Sequence, residues 1–270
     1  MRRPDRGSTY RRQTDMERAA LLARAGNRAL SVIVGIFILV MLEYGGYSLW
    51  DTAMLYQGAF VSNDLLKYKP SPENADGPTL AELAALNPDV RGWLTIDDTH
   101  IDYPVVQGKT DMDYINKNVY GEFALSGSIF MDSRNAADFS DSYCLLYGHH
   151  MDNGAMFGEV VEFVNKDYFD DHRTGNLYLT DGSVYAIELF ACMEIDAFDS
   201  VVYQPTAQEE GNVQPLLDYI REGAVQYREL GVAKTDQIIG LSTCAEAQTN
   251  GRVVVFGWMK RAEKVQEGGA

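Results

Sequence analysis

Basic residues are scarce beyond the first 28 positions. The chain has 23 Lys and Arg against 39 Asp and Glu over 270 residues, a formal net charge of −16. Eight arginines but only three acids (Asp5, Asp15 and Glu17) fall in residues 1–28, which contain no lysine. The remainder holds 15 basic and 36 acidic residues, a net of about −21. A surface of that sign repels phosphate backbones, so it argues against a nucleic-acid partner. Its ordinary use is solubility. Cysteine is rarer still: Cys144, Cys192 and Cys244 are the only three, beside four histidines, His100, His149, His150 and His172. No third or fourth ligand stands at metal spacing from the adjacent pair His149 and His150, which excludes a metal site built on them. No internal repeat is present, so a solenoid is excluded too.

Residues 29–42, in contrast, carry no charge and are almost wholly apolar, and they are followed by Glu43 and a mixed stretch ending at Trp50. Fourteen such residues fall short of the roughly 20 that a membrane helix needs. Extended to Trp50 the segment is long enough, with Tyr44, Tyr47 and Trp50 where an interfacial belt would lie. A secretory signal peptide shares the basic start and short apolar core. No small-x-small cleavage site follows the run, so the expectation is an uncleaved anchor over residues 29–50. The arginine excess places the N-terminus in the cytoplasm and everything after Trp50 outside.

Beyond the anchor, residues 51–69 are expected to form a helix, and residues 69–78 read as a breaker-rich linker. Thr79 and Glu82 stand at capping-box spacing, which predicts a short helix to Leu86 before Pro88. Short apolar runs punctuated by Gly, Asn and Asp then predict eight strands: 92–96, 101–106, 128–131, 142–147, 177–180, 184–195, 238–243 and 253–258. Eight strands with little between them make a barrel or a sandwich. The exception is 212–230, whose apolar positions fit a helical face.

The last two predicted strands carry the chemistry. The first ends at Cys244 and the second begins at Arg252, with the turn signal Asn250-Gly251 between them. Paired antiparallel, they bring a thiol and a guanidinium together at the hairpin mouth, and a nearby cation favours the reactive thiolate. A fixed fork of donors there can also hold a carbonyl oxygen as negative charge develops on it. Cys144 and Cys192 lie inside apolar runs and read as small buried hydrophobes. A disulfide between them requires a close Cα approach. For a base, His149 and His150 follow an apolar run ending in Gly148. Alternation along a strand lets only one of the two face a given cleft. His100 and His172 sit in polar surroundings and read as surface residues. A cysteine with a distant histidine and a nearby arginine suggests acyl transfer.

These stretches carry a resemblance. LSTC followed eight positions later by Arg in RVVVFGW is similar to the active-site signature of the sortases, and YGHHMDNGAMFGEV resembles the histidine motif of their class B. NPDVRGWLTIDDTHIDYPVVQ and GSIFMDSRN resemble that class as well, and the four stand in the family's order over residues 80–259. The resemblance implies an eight-stranded sortase-type β-barrel with N-terminal helices and a long helix before the penultimate strand, preceded by one transmembrane helix. It implies a membrane-anchored cysteine transpeptidase on the outer face of a Gram-positive-type cell. Cys244 would be the nucleophile, His149 the acid and base, and Arg252 the holder of the oxyanion, with Ser242, Thr243 and Glu246 as flanking substrate contacts. Its partners would be secreted proteins bearing a C-terminal sorting motif and an amine of a peptidoglycan precursor or a pilin; no cofactor is implied. The expected organisation is a basic cytoplasmic leader (1–28), an anchor (29–50), a helix and linker (51–78), the catalytic domain (79–262) and a tail (263–270). A hydrolytic cysteine peptidase and a non-catalytic membrane-tethered binding domain are the alternatives.

Overall fold

The structure, a computed structural model, describes residues 6–56, 58–71, 77, 79–208, 211–244 and 251–262, with the backbone alone at 6–14, 55 and 244. Most of the expected linker, the Asn250 turn position, Glu246 and the tail 263–270 lie outside the described residues. The chain divides into two units, Met1–Met54 and Leu55–Ala270.

In the first unit, α1 (Arg6–Tyr56) is one helix of 51 residues. Its stretch Asp15–Met54 is long and apolar enough to cross a membrane, and none of its apolar window is buried. At 1.5 Å per residue, residues 29–50 span about 33 Å, close to the thickness of a hydrocarbon core. No proline stands between Arg6 and Tyr56, so the helix runs on past both ends of the expected anchor.

The second unit departs from expectation at its start. Instead of one helix over 51–69, α1 ends at Tyr56 and α2 (Asn63–Leu66) is a single turn. Gly58, at φ +79°, takes the left-handed conformation that ends a helix. α3 (Leu80–Leu86) follows its capping sequence: Thr79 Oγ1 accepts from the Glu82 amide at 3.3 Å, and the Glu82 carboxylate accepts from the Thr79 amide at 2.6 Å.

The strands are β1 (Val90–Ile96), β2 (Asp102–Val106), β3 (Ile129–Met131), β4 (Tyr143–His149), β5 (Thr174–Leu179), β6 (Val184–Asp196), β7 (Gln226–Tyr227), β8 (Gln237–Cys244) and β9 (Gly251–Arg261). They are ordered β5-β1-β2-β3-β4-β8-β9-β6, and a β5–β6 pairing closes the ring. Eight strands therefore make a closed barrel, which leaves no long edge unpaired. β7 is a short addition to the edge of β6 that β5 leaves open, at Ala191 and Cys192. α4 (Lys166–Asp171) lies between β4 and β5, and α5 (Gln214–Gly223) between β6 and β7. α5 is shorter than the apolar pattern over 212–230 suggested. After Gly223 the amides of Val225 and Arg228 bond the carbonyls of Cys192 and Phe190 on β6 instead.

Three strands are covered on both faces, so they read as continuous apolar runs rather than as alternations. Cys144 and Leu146 of β4, Ile239 and Leu241 of β8, and Val255 and Met259 of β9 fill the barrel. The intervening Tyr143, Leu145, Ile238, Val254 and Phe256 pack outside it, in one cluster with Leu216, Leu217 and Ile220 of α5. This two-sided alternation decides which face each strand end presents.

Candidate active site

β4 and β8 are parallel neighbours whose Cα register runs from Tyr143 opposite Ile238 to His149 opposite Cys244. β8 and β9 are antiparallel, with Ser242 opposite Val254. Continuing that register by two residues sets Cys244 level with Arg252. Counting in twos from the outward Leu145 and Val254 places His149 and Arg252 on the same outer face of the barrel wall, with the Cys244 backbone between them. Three neighbouring strands thus end together with a histidine, a cysteine and an arginine side by side.

Gly148 lets β4 reach this position. A Cβ there would stand 2.5 Å from Ile129 Cδ1 and 2.6 Å from Phe157 Cγ, so no larger residue fits without moving both. His149, half-buried, has its Nε2 2.7 Å from the carbonyl oxygen of Ile115. A carbonyl only accepts, so Nε2 carries the hydrogen and Nδ1 is the basic nitrogen of the neutral ring. Arg252 is half-buried, with Nη1 donating to the Gly251 carbonyl at 3.0 Å. Ser242 and Thr243 are buried: Ser242 Oγ lies 3.0 Å from Tyr203 Oη, and Thr243 Oγ1 accepts from the Val253 amide at 3.3 Å.

An open cleft of about 250 Å³ runs over this face, lined by Ile115, Tyr147, Tyr203, Thr243 and Arg252 among others. Its wall holds a polar network that sequence reasoning did not single out, although it quoted the stretch that contains it. Asp132 is fully buried at the end of β3 and accepts from Arg134 at both carboxylate oxygens, 2.8 and 2.6 Å, and from Tyr147 Oη at 2.9 Å. Burial pushes the Asp132 carboxyl up, but the Arg134 and Tyr147 hydrogen bonds outweigh it and hold it below its ordinary range. Burial and the same carboxylate push the Tyr147 hydroxyl up, so it stays a donor. The usable signal was an acid and an arginine two residues apart directly after an apolar strand.

The other thiols are held apart from this face. Cys144 and Cys192 are free and buried, and burial raises both, Cys192 to about 12. In the order β4-β8-β9-β6 they are three strand spacings apart, roughly 14 Å along the sheet, against the 4.4–6.8 Å Cα separation a disulfide requires. His100 is exposed and pairs with Glu159 at 2.6 Å, while His172 stacks on Tyr168 at 3.8 Å. The expectation that only one of His149 and His150 faces a given cleft fails: both line one cavity. β4 ends at His149, and His150 pairs in an isolated bridge with Met156 beyond it, where strand alternation no longer orients the ring. Among the described residues no group of three or more His, Cys, Asp and Glu is placed to hold a metal ion.

Residues 94–260 match the family model of the sortase domain. Sortase B of Listeria monocytogenes is 36% identical over 180 residues, covering 66% of this chain and 72% of the relative. Among solved structures, a class B sortase of Streptococcus pyogenes involved in pilus biogenesis is similar at 41% identity and a TM-score of 0.62, over 66% of this chain and 96% of that one. A Staphylococcus aureus sortase B–substrate complex is similar at 28% identity and a TM-score of 0.63, over 68% of this chain and 85% of that one.

Proposed function

The chain belongs to the sortase family, in its class B, a family of cysteine transpeptidases, and from that premise we propose which residues act and on what. Cys244 is the nucleophile, His149 the general acid and base, and Arg252 the group that holds the carbonyl oxygen. The observation that carries this reading is the shared register of three adjacent strand ends, His149 opposite Cys244 and Arg252 level with both.

Cys244 Sγ passes its proton to His149 Nδ1 and attacks the Thr carbonyl of a C-terminal sorting motif on a secreted protein, and negative charge moves onto the carbonyl oxygen. Arg252 offers fixed donors where that charge develops. The amide C–N bond breaks as His149 gives a proton to the departing amine, leaving a thioester on Cys244. An amine of a peptidoglycan precursor or of a pilin then displaces the thiol, with His149 taking back a proton. The cleft beside Arg252 and Thr243 receives the motif, with Ser242 setting its floor through Tyr203. Glu246 flanks the nucleophile. α1 anchors the chain with its N-terminus in the cytoplasm and the barrel outside, supported by the eight arginines before the apolar run. The folded part of this catalytic unit corresponds to residues 79–262, after a leader (1–28), an anchor (29–50) and a helix and linker (51–78).

The test is product identity. The full chain in detergent is incubated with peptides ending in Asn-Pro-x-Thr-Asn or a Thr-Gly variant, with and without an amine, and the products are weighed. An amide to the added amine is the expected product. Acid alone would make the protein a hydrolytic peptidase, and no turnover would leave a binding domain. A tag on residue 1 that protease removes from intact cells would overturn the orientation.

A further inference from the structure

The catalytic unit opens with apolar residues that its own core does not cover: Tyr56 is 37% exposed and Phe60 45%. Phe60 and Tyr120 line one cavity of about 130 Å³, and Tyr56 and Leu125 line another of about 270 Å³. The opening segment 56–60 and the connection 117–125, between β2 and β3, therefore lie side by side. That connection adds two more exposed rings, Tyr120 at 41% and Phe123 at 69%.

A built turn carries those two rings. Lys117 and Phe123 pair in an antiparallel bridge, and Asn118 Oδ1 accepts from the amides of Tyr120 and Glu122 at 2.9 and 3.0 Å. Gly121, at φ +80°, supplies the left-handed step that closes the turn. Exposed apolar groups gathered on one face mark an interaction site. Chain length points to the occupant. α1 stays helical through Tyr56, so the six residues after Trp50 cover about 9 Å. That is little more than the depth of a headgroup layer, roughly 5–8 Å. Four further residues bring Phe60 within about 14 Å of Tyr56 at full extension. Aromatic rings favour that interfacial level. Charge does not supply the attraction, because the chain after residue 28 carries a net of about −21; apolar contact does.

We propose that this face rests on the outer leaflet of the membrane that α1 crosses, with Phe60, Tyr120 and Phe123 set among the lipid headgroups. The proposal rests on the reading of α1 as an anchor and adds a second, reversible contact made by the catalytic unit itself. Tyr56 and His149 line the same cavity. The lipid contact therefore sets the height of His149 above the leaflet and keeps the reactive end of the barrel close to the surface.

The experiment reads quenching of an environment-sensitive fluorophore by lipids that carry a nitroxide on the headgroup. The full chain with Cys244→Ala is placed in lipid nanodiscs, one copy to a disc, and labelled at Glu122→Cys or, in a second sample, at Tyr47→Cys. Cys144 and Cys192 are buried and escape the label. Both labels should be quenched, and high salt should not weaken quenching at Glu122→Cys, because the contact is apolar. Tyr120→Ser with Phe123→Ser, both at exposed positions, should lower the docked-to-free ratio read at Glu122→Cys about tenfold or more, the worth of at least one buried aromatic ring. Quenching at Tyr47→Cys should not change in that double variant. Quenching at Tyr47→Cys alone overturns the lipid contact, and so does quenching at Glu122→Cys that the double variant keeps. A Glu122→Cys label that escapes quenching but shifts to the blue when discs hold two copies shows a second chain on this face, and overturns it too. No quenching at either position overturns the reading of α1 as an anchor, and this inference with it.

Discussion

Arg134 Nη2 donates both to Asp132 Oδ2, at 2.6 Å, and to the carbonyl oxygen of Tyr203, at 2.8 Å. One guanidinium therefore ties the end of β3 to the connection between β6 and α5, which forms the far wall of the cleft. Tyr147 and Tyr203 stack across the same junction with ring centroids 6.3 Å apart. Removing Arg134 leaves a fully buried carboxylate without its cation, which typically costs 3–5 kcal/mol. Because Arg134 itself is 44% exposed, the expected cost of Arg134→Met is at the lower end, about 3 kcal/mol. Urea unfolding measures it, and Asp132→Asn in the same chain should recover part of the loss. A midpoint equal to the parent's would show that the tie holds nothing.

The same carboxylate sets a pH dependence. Asp132 titrates below its ordinary value when folded, and an unfolded aspartate titrates near 3.9. Its stabilisation is thus complete above about pH 4 and is lost as pH falls through the folded value. Asp132→Asn should be less stable than the parent at pH 7 but lose less stability between pH 5 and pH 2. Parallel stability curves for the two chains would contradict this.

Thiol chemistry separates the three cysteines. Cys144 and Cys192 are buried and their thiols raised, so neither presents thiolate at pH 8. Iodoacetamide should label the native chain once, at Cys244, and the urea-unfolded chain three times. Turnover should vanish in Cys244→Ala and survive in Cys144→Ala and Cys192→Ala. Native labelling at Cys144 would mean that the wall between β4 and β8 opens.

Arg252 faces two demands that one substitution tells apart. A lysine supplies the charge that favours thiolate, but not the planar fork that holds an oxygen in place. Arg252→Lys should alkylate at Cys244 at close to the parental rate while transpeptidation falls about 100-fold or more. Equal loss in both assays would reduce Arg252 to a source of charge.

Much of this arrangement was legible in the chain. Gly and Asn punctuation located all eight barrel strands, and the capping pair Thr79 and Glu82 set the start of α3. The positions of Cys244 and Arg252 at facing strand ends followed from the turn residues between them. What was not legible depends on contacts distant in sequence. Nothing local tells Arg134 that it will meet Tyr203, 69 residues on. The apolar pattern after Gly223 fits a helix as well as a strand until β6 offers its open edge. The fate of His150 also escaped pattern reading, because alternation holds only while the ladder continues.

The parallel pairing of β4 with β8 also bears on when the protein becomes active. Parallel neighbours cannot be joined by a tight turn, and here residues 150–236 are threaded between them before His149 meets Cys244. Such non-local pairing forms slowly, since the entropy of closing the loop is lost before any contact is gained. Within the barrel, β8 and β9 are also the last strands to be synthesised. A growing chain therefore carries His149 long before Cys244 stands beside it, and the two meet only once the barrel has closed.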